Sequence, residues 1–405
     1  MTAEESSEAA LIPTGRMMKS YGCIRSLSKH GIDTIVASEE EWVPHFSSRY
    51  TSERVRLPAY WDDVVAYKDA LVDIASRPEV KTIVPVRECD VYVFAKYERE
   101  FDEHVSILSP SLGTLERAHD RLQLATEAEA AGVPYAETAK LSEADGWDRD
   151  AVIKTRFNIL TDHYIDSRET ETAEEISDVV FLRGEDDPDV EELETRMRHE
   201  PIIQAFIPEA KKHLYCALWE DGEPLVTYQH RQIRKVSWVG GGGVYRESVH
   251  NEEVDAVAEK LLSHLNWDGY VCIEYLKDRD TGEWKFLEIN PRVWLSLPEA
   301  VRAGVDFPYY YWRRTQGDPL PDGTGYDSGI RCHISYGELK HLLSVRRDES
   351  PFENPPPFGK TLAEIIGSCI RYPRFDYIRY DDPGFVLGAV KALGGMDTGS
   401  LYRTK

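Results

Sequence analysis

Glu288 and Asn290 stand two apart near the end of the apolar run "EWKFLEIN", and Pro291 and Arg292 follow at once. Alternate residues of a strand face one way, so the carboxylate and the amide share a side while Leu287 and Ile289 turn to the core. The run "YVCIEYLKD" carries Glu274 between apolar residues, and a hairpin through "RDTGE" sets Glu274 beside Glu288 across the ladder. Two carboxylates and an amide oxygen gathered in one place repel one another without a cation. All three are hard oxygen donors, the kind that hold Mg²⁺ by few protein ligands while water and phosphate complete its shell. Arg292 can fork onto a phosphate that such a metal bridges. The same residues also fit a solvated strand end closed by an Asn-Pro turn.

Other residues extend this chemistry. Lys154, in "VIKTRF", is a lone cation in a strand that otherwise reads as buried. A buried ammonium needs an anion, and a nucleotide phosphate is one; snorkelling from an edge strand is the alternative. "IIQAFIP" offers Gln204 and Phe206 on a strand edge where an adenine can pair with backbone groups, although it also fits a plain core strand. "HRQIRKVSWVGGGG" joins Arg231 and Arg234 to the glycines 240–243, suited to an anionic substrate or a transferred phosphoryl. His230 reads either as an aid to amine deprotonation or as a structural histidine. A Ser-His-Asp or Cys-His pair is neither visible nor required.

Strands and helices must position these groups. From Ala10 to about residue 110, "ALIPT", "DTIVAS", "KTIVPV" and "VSILSP" alternate with helical segments, a parallel βαβ pattern. The turn "PTGRMM" has one glycine and no G-x-G-x-x-G, which argues for a Rossmann-like scaffold rather than a dinucleotide pocket. The helix in "ERAHDRLQLATEAEAAG" stops at Gly132, and "AVIK" and "PIIQAFI" are strands flanking an acidic stretch of solvated helix and loop. "HLYCALWEDGEPLVTYQHRQI" is a hairpin across Asp221-Gly222, and "NEEVDAVAEKLLSHLN" is a helix ahead of the two acidic strands. Past about Gly317 the chain reads as helices with no evident chemistry.

At 405 residues the chain calls for two or three subdomains. Its formal net charge of -24 repels nucleic acid and anionic membranes, so neither is an expected partner. Acid excess spread along the whole chain suggests a halophilic protein. Six cysteines lie far apart with no C-x-x-C pair, which excludes a zinc site of the usual spacing and fits reduced thiols in a cytoplasm. "MTAEESSEAA" is not a signal peptide, and the apolar "GFVLGAVKALGG" is too short to span a bilayer. A homodimer is the default assembly.

Taken in order, the elements resemble the ATP-grasp superfamily, and within it carboxylate–amine ligases similar to D-aspartate ligase and the carbamoyl-phosphate-synthase-like group. The resemblance runs from about Leu11 to Gly317 and is most specific in "WDGYVCIEYLKDRDTGEWKFLEINPRVW". It implies an α/β and α+β multidomain fold. The units would be a disordered acidic stretch (1–9), a Rossmann-like pre-ATP-grasp domain (10–112), a small lobe with its lead-in helix (113–212), a large lobe with the metal site (213–330) and a helical C-terminal extension (331–405). It further implies that Arg121, Lys154, Gln204, Ala205, Phe206 and Ile207 bind ATP. Glu274, Glu288 and Asn290 would hold Mg²⁺, with Mn²⁺ as a substitute, and Arg292, Arg231 and Arg234 would be catalytic. The implied reaction activates a small-molecule carboxylate as an acyl phosphate and couples it to an amine; an ATP-Mg-binding sensor or scaffold is the alternative. Two departures stand out: Arg121 where a lysine is usual, and "TRFNILTDHY" in place of a glycine-rich phosphate loop after Lys154.

Overall fold

Short apolar runs flanked by helices build the first sheet. The computed structural model describes residues 7–144, 147–165, 168 and 171–395. Residues 1–6 of the stretch expected to be disordered, and the last ten of the C-terminal extension, lie outside the described residues. β1 (Ala9–Pro13), β2 (Asp33–Ser38), β3 (Glu53–Arg56) and β4 (Val80–Ile83) pair in parallel in the order β3-β2-β1-β4. Period two divides their side chains: Ala10, Ile12 and Val36 enter one core cluster, and Ala9, Leu11, Ile35 and Ala37 another. Both faces are covered, as a parallel sheet requires. One strand is added here and one expectation fails. "ERVR" forms the exposed edge strand β3, and "VSILSP" is not a strand, although Thr82 Oγ1 donates to Ser106 O (2.7 Å) beside β4.

The middle of the chain supplies β5 (Thr138–Lys140), β6 (Ala151–Lys154), β7 (Ile159–Thr161), β8 (Ala173–Glu175), β9 (Val179–Leu182) and β10 (Ile202–Ala205). An antiparallel sheet runs β5-β10-β6-β9, with β7 and β8 as a separate ribbon. Ile153 and Ile203 pack beneath the helix Val190–Met197, which leaves Val152, Lys154 and Gln204 on the opposite face. The acidic stretch expected as helix and loop thus also contains β8 and β9, whose backbones pair with β7 and β6.

The third sheet contains β11 (Glu209–Glu220), β12 (Glu223–Lys235), β13 (Gly243–Ser248), β14 (Gly269–Asp278), β15 (Trp284–Asn290) and β16 (Arg331–His333), in the order β15-β14-β11-β12-β13-β16. The β11–β12 hairpin turns at Asp221 (φ 54°) and Gly222 (φ 72°), the left-handed pair of a tight two-residue loop. One face, with Tyr215, Trp219, Ile273 and Tyr275, packs on the helix Glu252–Leu265. The other, with Leu218, Cys216 and Leu214, shares a core with the first sheet. Continuing along β11, that second row reaches Lys212, where apolar core gives way to an open cavity. β16 is the edge strand that the C-terminal segment adds, paired with β13.

No helix among the described residues is long and apolar enough to cross a membrane. All six cysteines are free thiols.

Candidate active site

A cavity of about 740 Å³ opens between the middle sheet and the six-stranded sheet, a size that suits a nucleotide with a small second ligand. Glu274 pairs directly with Glu288, and Cys272 with Asn290, across the β14–β15 ladder. The two carboxylates and the amide line the cavity together. The strand reaches this arrangement by a route that simple alternation does not give. Trp284, Phe286 and Ile289 are buried in the core, whereas Leu287 lines the cavity. Between Glu274 and Tyr275 on one strand, and Glu288 and Phe286 on the other, the register shifts, so Leu287 is the extra residue of a β-bulge. The expectation that Leu287 faces the core is therefore corrected: the bulge absorbs it, and Phe286 and Ile289 keep the core face.

Cations meet these carboxylates from three directions. Lys154 lies across the cavity, and its Nζ donates to Gln204 Oε1 (2.8 Å). Burial and the Arg121 charge pull the Lys154 ammonium down to about 8, with Glu288 and Glu274 opposing them. Arg121 Nη2 pairs with Glu288 Oε2 (3.2 Å) and Nη1 donates to Thr155 O (2.7 Å). Burial would raise the Glu288 carboxyl, but Arg121 and Lys154 hold it down at about 2. Lys212, 7% exposed, pairs with Glu274 Oε2 at 2.6 Å, and its Nζ also donates to Gly241 O (3.4 Å). Arg292 Nη2 donates to Asn290 Oδ1 (2.7 Å), and its Nε pairs with Glu88 Oε1 (2.8 Å).

This pattern fits a divalent metal. The donor atoms are hard oxygens from two facing carboxylates and a neighbouring amide, set beside lysine and arginine that a metal–phosphate complex could engage. A second cluster, His333, Glu338 and Cys369, also brings ligand-type atoms together. There Glu338 is already paired with Arg234 (2.7 Å) and with the His333 ring, and burial raises the Cys369 thiol, so it reads as a structural network.

Gln204, Ala205, Phe206 and Ile207 all line the cavity, with Phe206 and Ile207 just past β10. Arg231 and Arg234 do not. On β12 the cavity side belongs to His230, Gln232 and, after a register shift, Lys235. Arg231 points to the other face, where its Nε donates to Glu247 Oε2 (2.6 Å). Arg234 is buried against Glu338 and the Tyr245 ring. Period two places Arg231 opposite His230 and Gln232, the register shift between Gln232 and Arg234 turns Arg234 the same way, and the expected catalytic role of both arginines is corrected on that ground. His230 accepts or donates one bond with Ser296 Oγ (2.7 Å), and burial and Arg246 hold its ring well below the ordinary histidine value, hence neutral.

Several cavity residues were not singled out in the sequence. Lys212 had a readable signal, its alternation with Leu214 and Cys216. Phe352 had none: it comes from the C-terminal segment, yet its ring stacks on Phe206 at 4.0 Å and meets Phe181 edge-on at 5.8 Å. Arg183 lies over the same ring and also donates to Pro351 O. Trp238 Nε1 donates to Asp348 O (2.9 Å), so the glycine loop is tied to the same strap. The C-terminal segment, read as helices with no evident chemistry, supplies Ser350, Phe352 and Glu353 to the cavity wall.

The fold recurs in solved structures. N5-carboxyaminoimidazole synthetase from Staphylococcus aureus superposes with a TM-score of 0.59 at 14% identity, covering 85% of this chain and 87% of that one. L-amino acid ligase from Bacillus licheniformis gives 0.55 at 15%, covering 79% and 76%. Biotin carboxylase from Campylobacter jejuni gives 0.59 at 14%, covering 80% and 74%. These likenesses lie at 14–15% identity and bear on the fold alone: the mixed α/β architecture expected from the sequence recurs in them. Among curated proteins, acetyl-CoA carboxylase 2 of Arabidopsis thaliana is 28% identical over a stretch that takes in 28% of this chain and 6% of that protein. Acetyl-CoA carboxylase 1 of the same plant is 33% identical over 20% of this chain and 4% of that protein. This chain spans a small fraction of the length of those curated relatives. No protein-family model matches it.

Proposed function

We propose that the chain is an ATP-dependent ligase that activates a carboxylate as an acyl phosphate and couples it to an amine, releasing ADP and phosphate. One observation carries this reading: Lys154 on one sheet faces Glu274, Glu288 and Asn290 on another across a single nucleotide-sized cavity. Residues 10–112, 113–212 and 213–330 serve as Rossmann-like unit, small lobe and large lobe.

Gln204 to Ile207 border the adenine, and the Phe206–Phe352 pair gives it an apolar wall. Lys154, Lys212 and Arg121 neutralise the triphosphate. Glu274, Glu288 and Asn290 would hold Mg²⁺, which would supply charge neutralisation on the transferred phosphoryl. Arg292 orients the acid. A carboxylate oxygen attacks the γ-phosphorus, the bond to the β–γ bridging oxygen breaks, and ADP leaves with that electron pair. The amine nitrogen then attacks the acyl carbon, and phosphate departs with the C–O pair while the nitrogen loses a proton. Both steps need positioning and charge neutralisation rather than a protein nucleophile.

Bicarbonate as the activated acid is a second reading, supported by the stretches shared with two proteins named acetyl-CoA carboxylase. ADP release measured across a panel of acids, bicarbonate among them, with and without amines separates the readings. Release that needs both an acid and an amine supports the ligase. Release with bicarbonate and no other acid supports the second reading. ATP binding with no acid-dependent release would reduce the chain to a nucleotide sensor or scaffold.

A further inference from the structure

Lys19 has no task in the reaction written above, yet it is 3% exposed and lines the same cavity as Arg292. It stands after β1, at the start of the helix Ser20–Lys29, and Glu88 opens the helix Glu88–Lys96 that follows β4. From β1 the chain winds outward to β2 and β3, then returns to place β4 on the other side of β1. The β1–β4 boundary is therefore the switch point of the sheet, the crevice where open parallel sheets bind ligands. The end of β15 closes this crevice: Val293 N donates to Pro85 O (3.2 Å), and Arg292 pairs with Glu88.

Among the described residues Lys19 Nζ has no hydrogen bond and no ion pair. Its charged neighbours are Arg292 beyond β15, Glu175 on β8, and Glu88 and Asp90 on the helix Glu88–Lys96. Burial and Arg292 outweigh the three carboxylates and bring the ammonium down to about 7. Each of those carboxylates is engaged elsewhere. Glu88 faces Arg292 and His119, Glu175 accepts the Cys89 amide (3.1 Å), and Asp90 pairs with Arg87 (2.9 Å). A buried ammonium without an anion of its own is costly: it gives up its proton or takes an anion from a ligand, and its place in the cavity wall beside Arg292 makes a ligand anion accessible.

We infer that Lys19 and Arg292 form an anion seat at the switch point of the first sheet, which holds the carboxylate of the acid substrate. Naming that anion as the acid rests on the ligase reading; the seat itself does not. Met17, Trp294 and Leu295 line the cavity beside it. Butyrate, a monocarboxylate with a short apolar body, is the probe.

The full chain is methylated at its lysines with ¹³C-formaldehyde, and the Lys19 signal is identified by its loss in Lys19→Arg. The signal is followed through a pH titration with and without butyrate, at constant ionic strength and without ATP. The expected result is a midpoint near neutrality that butyrate raises saturably, by about one unit or more. Arg292→Gln should weaken butyrate severalfold. A midpoint indifferent to butyrate, or one at the ordinary lysine value, overturns the seat. If the reagent does not reach Lys19, thermal shift decides: butyrate should raise the melting temperature of the wild type and not of Lys19→Met, and an equal rise in both overturns the seat. A butyrate response together with no ADP release for any acid would sink the ligase reading and leave the seat standing.

Discussion

Glu274 stands directly opposite Glu288 in the β14–β15 ladder, and the next residue along each strand, Tyr275 and Phe286, is again a matched pair although Leu287 lies between. Like charges opposed in this way repel. Lys212 and Arg121 offset the repulsion at 2.6 and 3.2 Å, one for each carboxylate. The chain keeps two anions face to face at a cavity wall and surrounds them with cations, an arrangement suited to a metal–phosphate complex that can replace those contacts.

The bulge makes a counterintuitive deletion tolerable. Removing Leu287 leaves Phe286 and Glu288 as consecutive residues of a regular strand, with Phe286 and Ile289 still in the core and Glu288 and Asn290 still in the cavity. The deletion variant should fold, melt within a few degrees of the parent and bind ATP with Mg²⁺, losing only the Leu287 contact. Calorimetry and an ATP titration check this. A variant that folds but no longer binds ATP would show that the bulge itself sets the ligand geometry.

Nucleotide affinity should depend on pH through Lys154. Its folded value, about 8, lies below the ordinary lysine value, so the free protein sheds this charge as pH rises through about 8. A triphosphate favours the charged form. ATP affinity should therefore fall above about pH 8, by at most about tenfold per unit. Lys154→Arg stays charged throughout and should flatten the profile in a binding titration.

Phe352→Ala should weaken ATP binding by about two- to tenfold, the worth of one aromatic contact pair. The stack on Phe206 at 4.0 Å motivates this expectation, and the wild-type circular dichroism spectrum should be retained. Unchanged affinity would confine the strap to a structural role.

Much of this arrangement was legible in the sequence for a physical reason: strand periodicity and a two-residue turn fix which side chains meet. The Glu274–Glu288 pairing and the Asp221-Gly222 hairpin follow from local spacing alone. Local spacing fails where the register slips. Alternation alone puts Leu287 on the core face, which the bulge reverses, and Arg231 and Arg234 on β12 turn instead to Glu247 and Glu338. Phe352 and Lys19 were out of reach for a different reason. Each joins the cavity through contacts distant in sequence, which a single chain read by its periodicity does not disclose.

A net charge of -24 that is spread along the chain should make the fold salt-dependent. Self-repulsion is screened over about 10 Å at 0.1 M salt and about 3 Å at 1 M. Thermal melts should move upward steadily as potassium chloride is raised to molar levels, as a halophilic protein requires. Melts independent of salt would remove the halophilic reading and leave an ordinary acidic protein.

The most direct test is an ATP titration of the wild type, Lys154→Met, Glu288→Gln and the double variant, each with and without Mg²⁺. Wild-type binding should need the metal, each single variant should lose at least about tenfold, and the double variant should lose less than the product of the two, because both residues grip one ligand. Binding that ignores Mg²⁺, or single variants that bind as the wild type does, would contradict a magnesium–triphosphate held between the two sheets.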